Sequence, residues 1–135
     1  MIITTSNINE AKKQINKSTS HQVIVIAHDL EFNRKILEYG KFQIFLGLDK
    51  SLNHVMAKIA AKNKITIALD LEKLQKLGKE EKALSLSKII QNIKFCRKAK
   101  CKIAFLNYKN KKDAFEFLIS LGASTEQAKE ATENL

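Results

Sequence analysis

The chain contains no proline and only four glycines in 135 residues. No Pro/Gly/Ser-rich stretch marks a linker, so residues 1–135 read as one α/β domain. No apolar run approaches the ~20 residues of a membrane span. The start, "MIITTSNINE", lacks the basic and long apolar regions of a signal peptide. A cytoplasmic, soluble protein with no membrane partner is expected. Cysteine is scarce: Cys96 and Cys101 stand alone, with nothing at ligand spacing to complete a zinc site, and reduced, partly buried thiols are expected. Glycine motifs of the GxxxxGKS/T and GxGxxG kinds are missing, which excludes phosphate cradling by a glycine loop, and there is no GxSxG elbow. Acids are also short: 14 Asp and Glu against 24 Lys and Arg leave a net charge of +10. Such an excess attracts polyanions and points to a nucleic-acid partner.

Apolar runs alternate with amphipathic segments along the chain. "MIIT" (1–4), "QVIVIAH" (22–28), "FQIFLGL" (42–48), "ITIALDL" (65–71) and "KIAFLN" (102–107) read as five strands. The second is apolar almost throughout, as expected of a strand covered on both faces. Helices are expected between the strands. Asn7 with Glu10 and Ser124 with Gln127 have capping-box spacing. Asp29 can cap the helix that Gly40 closes in the left-handed conformation. The segment 52–63 places Leu52, Val55, Met56, Ile59 and Ala60 on one face, and 78–100 is one long helix. Alternating β and α units imply a parallel sheet. A closed eight-stranded barrel takes ~250 residues, so the sheet is open or is a barrel with part missing.

Candidate chemistry is sparse. His28 and Asp29 end the second strand and Asp70 ends the fourth, where parallel sheets place active sites. They support either a small metal-dependent phosphoesterase or, more simply, a cap and strand ends. Thr5, Ser6 and Asn7 after the first strand rule out the acidic cluster of a phosphoreceiver. Basic residues are plentiful. On the long helix Ala83, Leu86, Ile89, Ile90, Ile93 and Cys96 form one stripe, leaving Lys88, Lys94 and Lys98 outside it. Arg97 lies inside the stripe, able to bond its own helix end or to face a partner. Phe95 can stack on a base or pack against a neighbour. Lys100, Lys102, Lys109, Lys111 and Lys112 form a second group that brackets the fifth strand, with Tyr108 inside it, and "LNYKNKK" is the candidate backbone-contacting loop.

The stretch "SLNHVMAKIAAKNKITIALDLEKL" resembles ribonuclease P protein component 3, the p30-type subunit family of archaeal and eukaryotic ribonuclease P. The likeness rests on Leu52 to Ala60, on Asn92 and Arg97 of the basic helix, and on the tail "FEFLISLGASTEQAKEA". It implies a TIM-like barrel related to metal-dependent phosphoesterases of the PHP type, here incomplete, with about five strands and without the family's N-terminal units. It also implies a non-catalytic subunit without a cofactor or metal, which helps the RNA component mature the 5′ ends of precursor tRNA. Its partners would be ribonuclease P RNA, precursor tRNA and component 2, with self-association as a further route to covering exposed edges. Asn53 would then cap a helix, and His54 would fix strand-end loops through its ring nitrogens, with Asn92 also structural. Lys88, Lys94, Arg97, Lys98, Lys109, Lys111 and Lys112 would meet RNA. Asn107, Tyr108 and Lys109 replace a small-residue loop, which suggests added phosphate contacts. A general nucleic-acid-binding α/β domain is the remaining alternative.

Overall fold

The computed structural model describes residues 1–133. Strands β1 (Ile2–Ile3), β2 (Ile24–Ile26), β3 (Ile44–Leu46), β4 (Thr66–Asp70) and β5 (Ile103–Leu106) form one parallel sheet in the order β1-β2-β3-β4-β5. Between them run α1 (Ile8–Lys17), α2 (Leu30–Tyr39), α3 (His54–Lys62), α4 (Leu71–Gln75) and α5 (Lys79–Ala99); α6 (Lys111–Ser120) and α7 (Thr125–Ala131) follow β5. The strands are shorter than the apolar runs, whose outer residues lead into turns without joining the ladders. The short α4 was not legible. Asp70 both ends β4 and accepts from the Lys73 N–H at 3.2 Å, so strand passes into helix without a loop.

Strand alternation sorts the side chains onto two faces. Ile3, Val25, Phe45, Ile67, Leu69, Ile103 and Phe105 join the helices in the main core. Ile44, Ala68 and Ala104 point the other way and, among the described residues, pack with Ile24, Leu46 and Leu106, which are also strand residues. Every helix-bearing crossover therefore covers the same face, as in the arc of a barrel rather than a doubly wound sheet. The expectation that β2 is covered on both faces fails here: Val25 is fully buried, but Ile24 and Ile26 are half-buried.

Side-chain caps set the helix starts. Asn7, Asp29, Asn53, Asn110 and Ser124 each accept a backbone N–H three residues on. Ser124 and Gln127 form the full reciprocal box. Asn7 receives no return bond, because the Glu10 carboxylate accepts from the Gln14 amide instead. On α3 the buried face is Met56, Ala57 and Ala60, while Val55 is 49% exposed. The stripe is turned from the expected one because small alanines let α3 lie close against α5. On α5 the buried positions are Ile89, Asn92, Ile93 and Cys96; Ala83 and Ile90 are exposed. At 21 residues α5 is about 31 Å long, far longer than the four-residue β5.

Gly40 closes α2 with φ 68°, ψ −141°, a positive φ but outside the left-handed helical region. Immediately after it Lys41 takes φ 62°, and Lys64 (57°), Lys100 (59°) and Asn107 (59°) also have positive φ. A side chain in that conformation costs roughly 1–2 kcal/mol.

Candidate nucleic-acid interface

The end of the sheet where the strands finish is built around the loop between β3 and α3, residues 47–53. Two buried asparagines hold it. From α5, Asn92 donates through Nδ2 to the carbonyls of Leu48 (2.7 Å) and Lys50 (2.9 Å). From α2, Asn33 donates to the carbonyls of Ser51 (3.2 Å) and His28 (3.3 Å), and its Oδ1 accepts the His28 N–H at 2.8 Å. An amide suits this task because it donates and accepts without carrying charge into the core. Asn53 caps α3 by accepting from the Met56 N–H at 2.9 Å. His54 does not tie the loops: it is exposed, and its ring lies 6.4 Å from that of Phe95. The expected role passes to Asn33 and Asn92. Asn33 was missed, although a polar amide between Phe32 and Ile36 on an otherwise apolar stripe was the available signal.

His28, Asp29 and Asp70 do not converge on a metal. The His28 ring bonds the Thr4 carbonyl through Nε2 at 2.9 Å. Asp29 caps α2 (2.8 Å), and Asp70 caps α4 while its Oδ2 accepts from Asn107 Nδ2 at 2.9 Å. Among the described residues no three His, Cys, Asp or Glu side chains are grouped to hold a metal ion. The cleft at this end mixes signs, with Asp49 and Asp70 beside Lys50 and Lys73.

The expected cations do not form one patch. Lys109, Lys111 and Lys112 sit at the start of α6, beyond the finishing end of β5. Lys94, Arg97 and Lys98 lie in the last turns of α5, next to the beginning of β5, with Lys88 midway along the helix. Lys88, Lys94, Lys98, Lys109, Lys111 and Lys112 are exposed, and among the described residues none has a carboxylate within 4.0 Å. Arg97 is exposed but does not bond its own helix end. Its Nη1 donates to the Gly122 carbonyl at 2.9 Å and straps the α6–α7 turn to α5. Tyr108 is likewise engaged, its hydroxyl donating to the Thr132 carbonyl at 2.6 Å. In the loop after β5, then, Asn107 and Tyr108 serve the fold and Lys109 alone is free for a phosphate. Phe95 is half-buried against the core, which favours packing over base stacking.

Both thiols are buried. Cys101 donates through Sγ to the Ile65 carbonyl at 3.4 Å. The neighbouring Cys101 side chain and burial push the Cys96 thiol far above the usual range, so it stays protonated. Among the described residues no helix is long and apolar enough to cross a membrane.

Known proteins resemble this arrangement. No family model matches the chain. Ribonuclease P protein component 3 from Methanococcus maripaludis is 26% identical in strain C7 and 27% identical in strain C6, over 103 residues in each case. These matches take in 71% of this chain and 44% of each relative, so the chain spans under half the length of the curated relatives it matches. Among solved structures, a chain in a cryo-EM structure of archaeal ribonuclease P with mature tRNA superposes with a TM-score of 0.82 at 22% identity. The superposition covers 96% of this chain and 62% of that one, and shows that the fold is shared.

Proposed function

We propose that this homologue of ribonuclease P protein component 3 acts as a non-catalytic RNA-binding subunit of an archaeal-type ribonuclease P. In this reading the RNA component performs the cleavage that matures the 5′ end of precursor tRNA, and the complex works in the cytoplasm. The observation that carries it is the sequence similarity to component 3 along 71% of the chain, joined to a net charge of +10. The arrangement of the strand ends supports a subunit over an enzyme. Asp29 and Asp70, the carboxylates placed like catalytic groups, cap helices, and His28 ties β1 to β2. The exposed lysines supply what a phosphate backbone requires. The sheet face without helices, where Ile24, Leu46 and Leu106 are half-buried, supports a protein partner. Component 2 is the partner this reading assigns, and self-association is the alternative occupant.

The test is crosslinking of the tagged protein in its own cells, followed by sequencing of the bound RNA. Ribonuclease P RNA and precursor tRNA should dominate the recovered RNA, and component 2 should copurify. Unselected RNA, or none, would refute the assignment. In vitro, contact with about six phosphates gives a slope of log K against log salt of about −4 to −5. Changing Lys94, Lys98, Lys109, Lys111 and Lys112 to Glu should weaken binding across RNA sequences.

A further inference from the structure

Lysine stands in three turns at a backbone geometry that ordinarily selects glycine or asparagine. Lys41, Lys64 and Lys100 have φ of 62°, 57° and 59°. They occupy the turns that lead into β3, β4 and β5, which are consecutive neighbours in the sheet. The same unfavourable choice thus recurs at equivalent places along one end of the molecule, where the strands begin. Backbone geometry gives no reason for it, and strain kept at a set of equivalent positions is a pointer to function. Lys62 and Lys98, in the last turns of α3 and α5, stand beside these residues. All five are exposed, and among the described residues none has a carboxylate within 4.0 Å; the Lys41 ammonium lies over the Tyr39 ring, 5.2 Å from its centroid, and keeps its full charge there. Compensation of the helix dipole accounts for Lys62 and Lys98. It does not account for a lysine with positive φ.

The ledge that carries them is braced from turn to turn. Asn63 donates to the Leu37 carbonyl at 2.7 Å, the Thr66 N–H to the Gln43 carbonyl at 2.9 Å, and the Cys101 thiol to the Ile65 carbonyl. Acids mark its limits. Glu126, Glu130 and Glu133 of the α7 segment share a groove with Lys129, Lys102 and Thr66 where β4 and β5 begin, on the side of the ledge away from Lys41, and Glu38 is paired with Arg34. No large exposed hydrophobic side chain lies in the turns before β3, β4 and β5; Met1 and Ile2 are exposed at this end, but at the start of β1, two strands from β3. Protein interfaces are built on such apolar anchors, whereas a phosphate backbone needs only fixed cations.

We propose that the end of the sheet at which the strands begin, centred on Lys41, Lys64 and Lys100, docks the phosphate backbone of RNA. The inference rests on the RNA-binding reading above and adds a surface at the opposite end from Lys109, Lys111 and Lys112. Neighbouring strands stand about 4.8 Å apart, so the turns that lead into β3, β4 and β5 bring their cations within reach of one backbone.

The experiment is fluorescence anisotropy with a labelled RNA duplex across a salt series, using the full chain and the triple variant Lys41→Gly, Lys64→Gly, Lys100→Gly. Glycine adopts the same φ without strain, so the variant should melt at or above the wild-type temperature while losing its cations. Asparagine at the same positions gives a second uncharged variant that tolerates this backbone. The salt slope should become shallower by about 2–3, with affinity falling at least tenfold at low salt. A comparison variant carries Lys109→Asn, Lys111→Asn and Lys112→Asn. Undiminished slope and affinity in both turn variants, with weakening only in the comparison variant, would overturn the inference and leave RNA binding intact. Absence of salt-dependent binding by the wild type would overturn both. Polyglutamate bound as tightly as the duplex, and lost in the same variants, would replace RNA by an acidic protein.

Discussion

Replacing Asn92 by Ala should unfold the protein at a markedly lower temperature. The side chain is 2% exposed and spends both amide hydrogens on the carbonyls of Leu48 and Lys50, at 2.7 and 2.9 Å. Alanine leaves both acceptors without that donor. An unpaired buried carbonyl costs about 1–3 kcal/mol. The Leu48 bond is fully buried and the Lys50 bond partly so, which gives a loss of about 2–4 kcal/mol. A domain of this size is stable by about 5–15 kcal/mol, and each kcal/mol moves its melting point by roughly 3–4 °C, so Tm should fall by about 6–16 °C. Urea unfolding followed by circular dichroism reads the free energy directly. Asn92→Asp should be at least as damaging at neutral pH, since a carboxylate would face two carbonyl oxygens. Burial beside those oxygens raises the carboxyl pKa in the folded state, so the native form binds more protons than the unfolded one. Stability of that variant should therefore fall as pH rises and recover on acidification. Asn33 holds the same loop from α2, so the double alanine variant should show a coupling energy of about 0.5–3 kcal/mol. A loss below ~1 kcal/mol in Asn92→Ala would refute the clamp.

Gly47→Ala should also destabilise, because an added Cβ would stand 2.3 Å from Cε2 of Phe45 and 3.0 Å from the Ala27 Cβ, and Phe45 is fully buried. A cost of about 1–3 kcal/mol is expected from forcing that ring to shift, and an unchanged urea midpoint would show that the ring has room. The buried, protonated Cys96 and the hydrogen-bonded Cys101 should resist maleimide in the folded protein even in mildly alkaline buffer, and react only at the rate of opening; fast labelling of the native state would contradict their burial.

The strands and the longer helices were legible because apolar runs and cap residues are local signals. Asp29, Asn53 and Ser124 announce their helices within four residues of sequence. What was not legible depends on neighbours distant in sequence. The rotation of α3 that exposes Val55 and buries Ala57 follows from close packing on α5. The engagement of Arg97 with Gly122 and of Tyr108 with Thr132 joins residues 25 and 24 positions apart. The lysine clusters were visible as composition, yet charge has no periodicity to reveal which end of a strand it occupies. His54 was assigned a tether that Asn33 and Asn92 perform, because a histidine in a motif draws attention that a buried amide does not. The positive φ of Lys41, Lys64 and Lys100 left no trace in the residue types themselves.

The sequential strand order has a bearing on how such a chain is assembled. Each strand pairs only with the unit made just before it and the unit made just after. No strand waits for a later one to be inserted beside it, so the sheet can be laid down in the order of synthesis, each β–α unit templating the next. The same property makes the architecture extensible. A unit joined at the free edge of β1 or β5 would leave all four existing registers in place, and homologues that differ greatly in length can keep an identical arc in common.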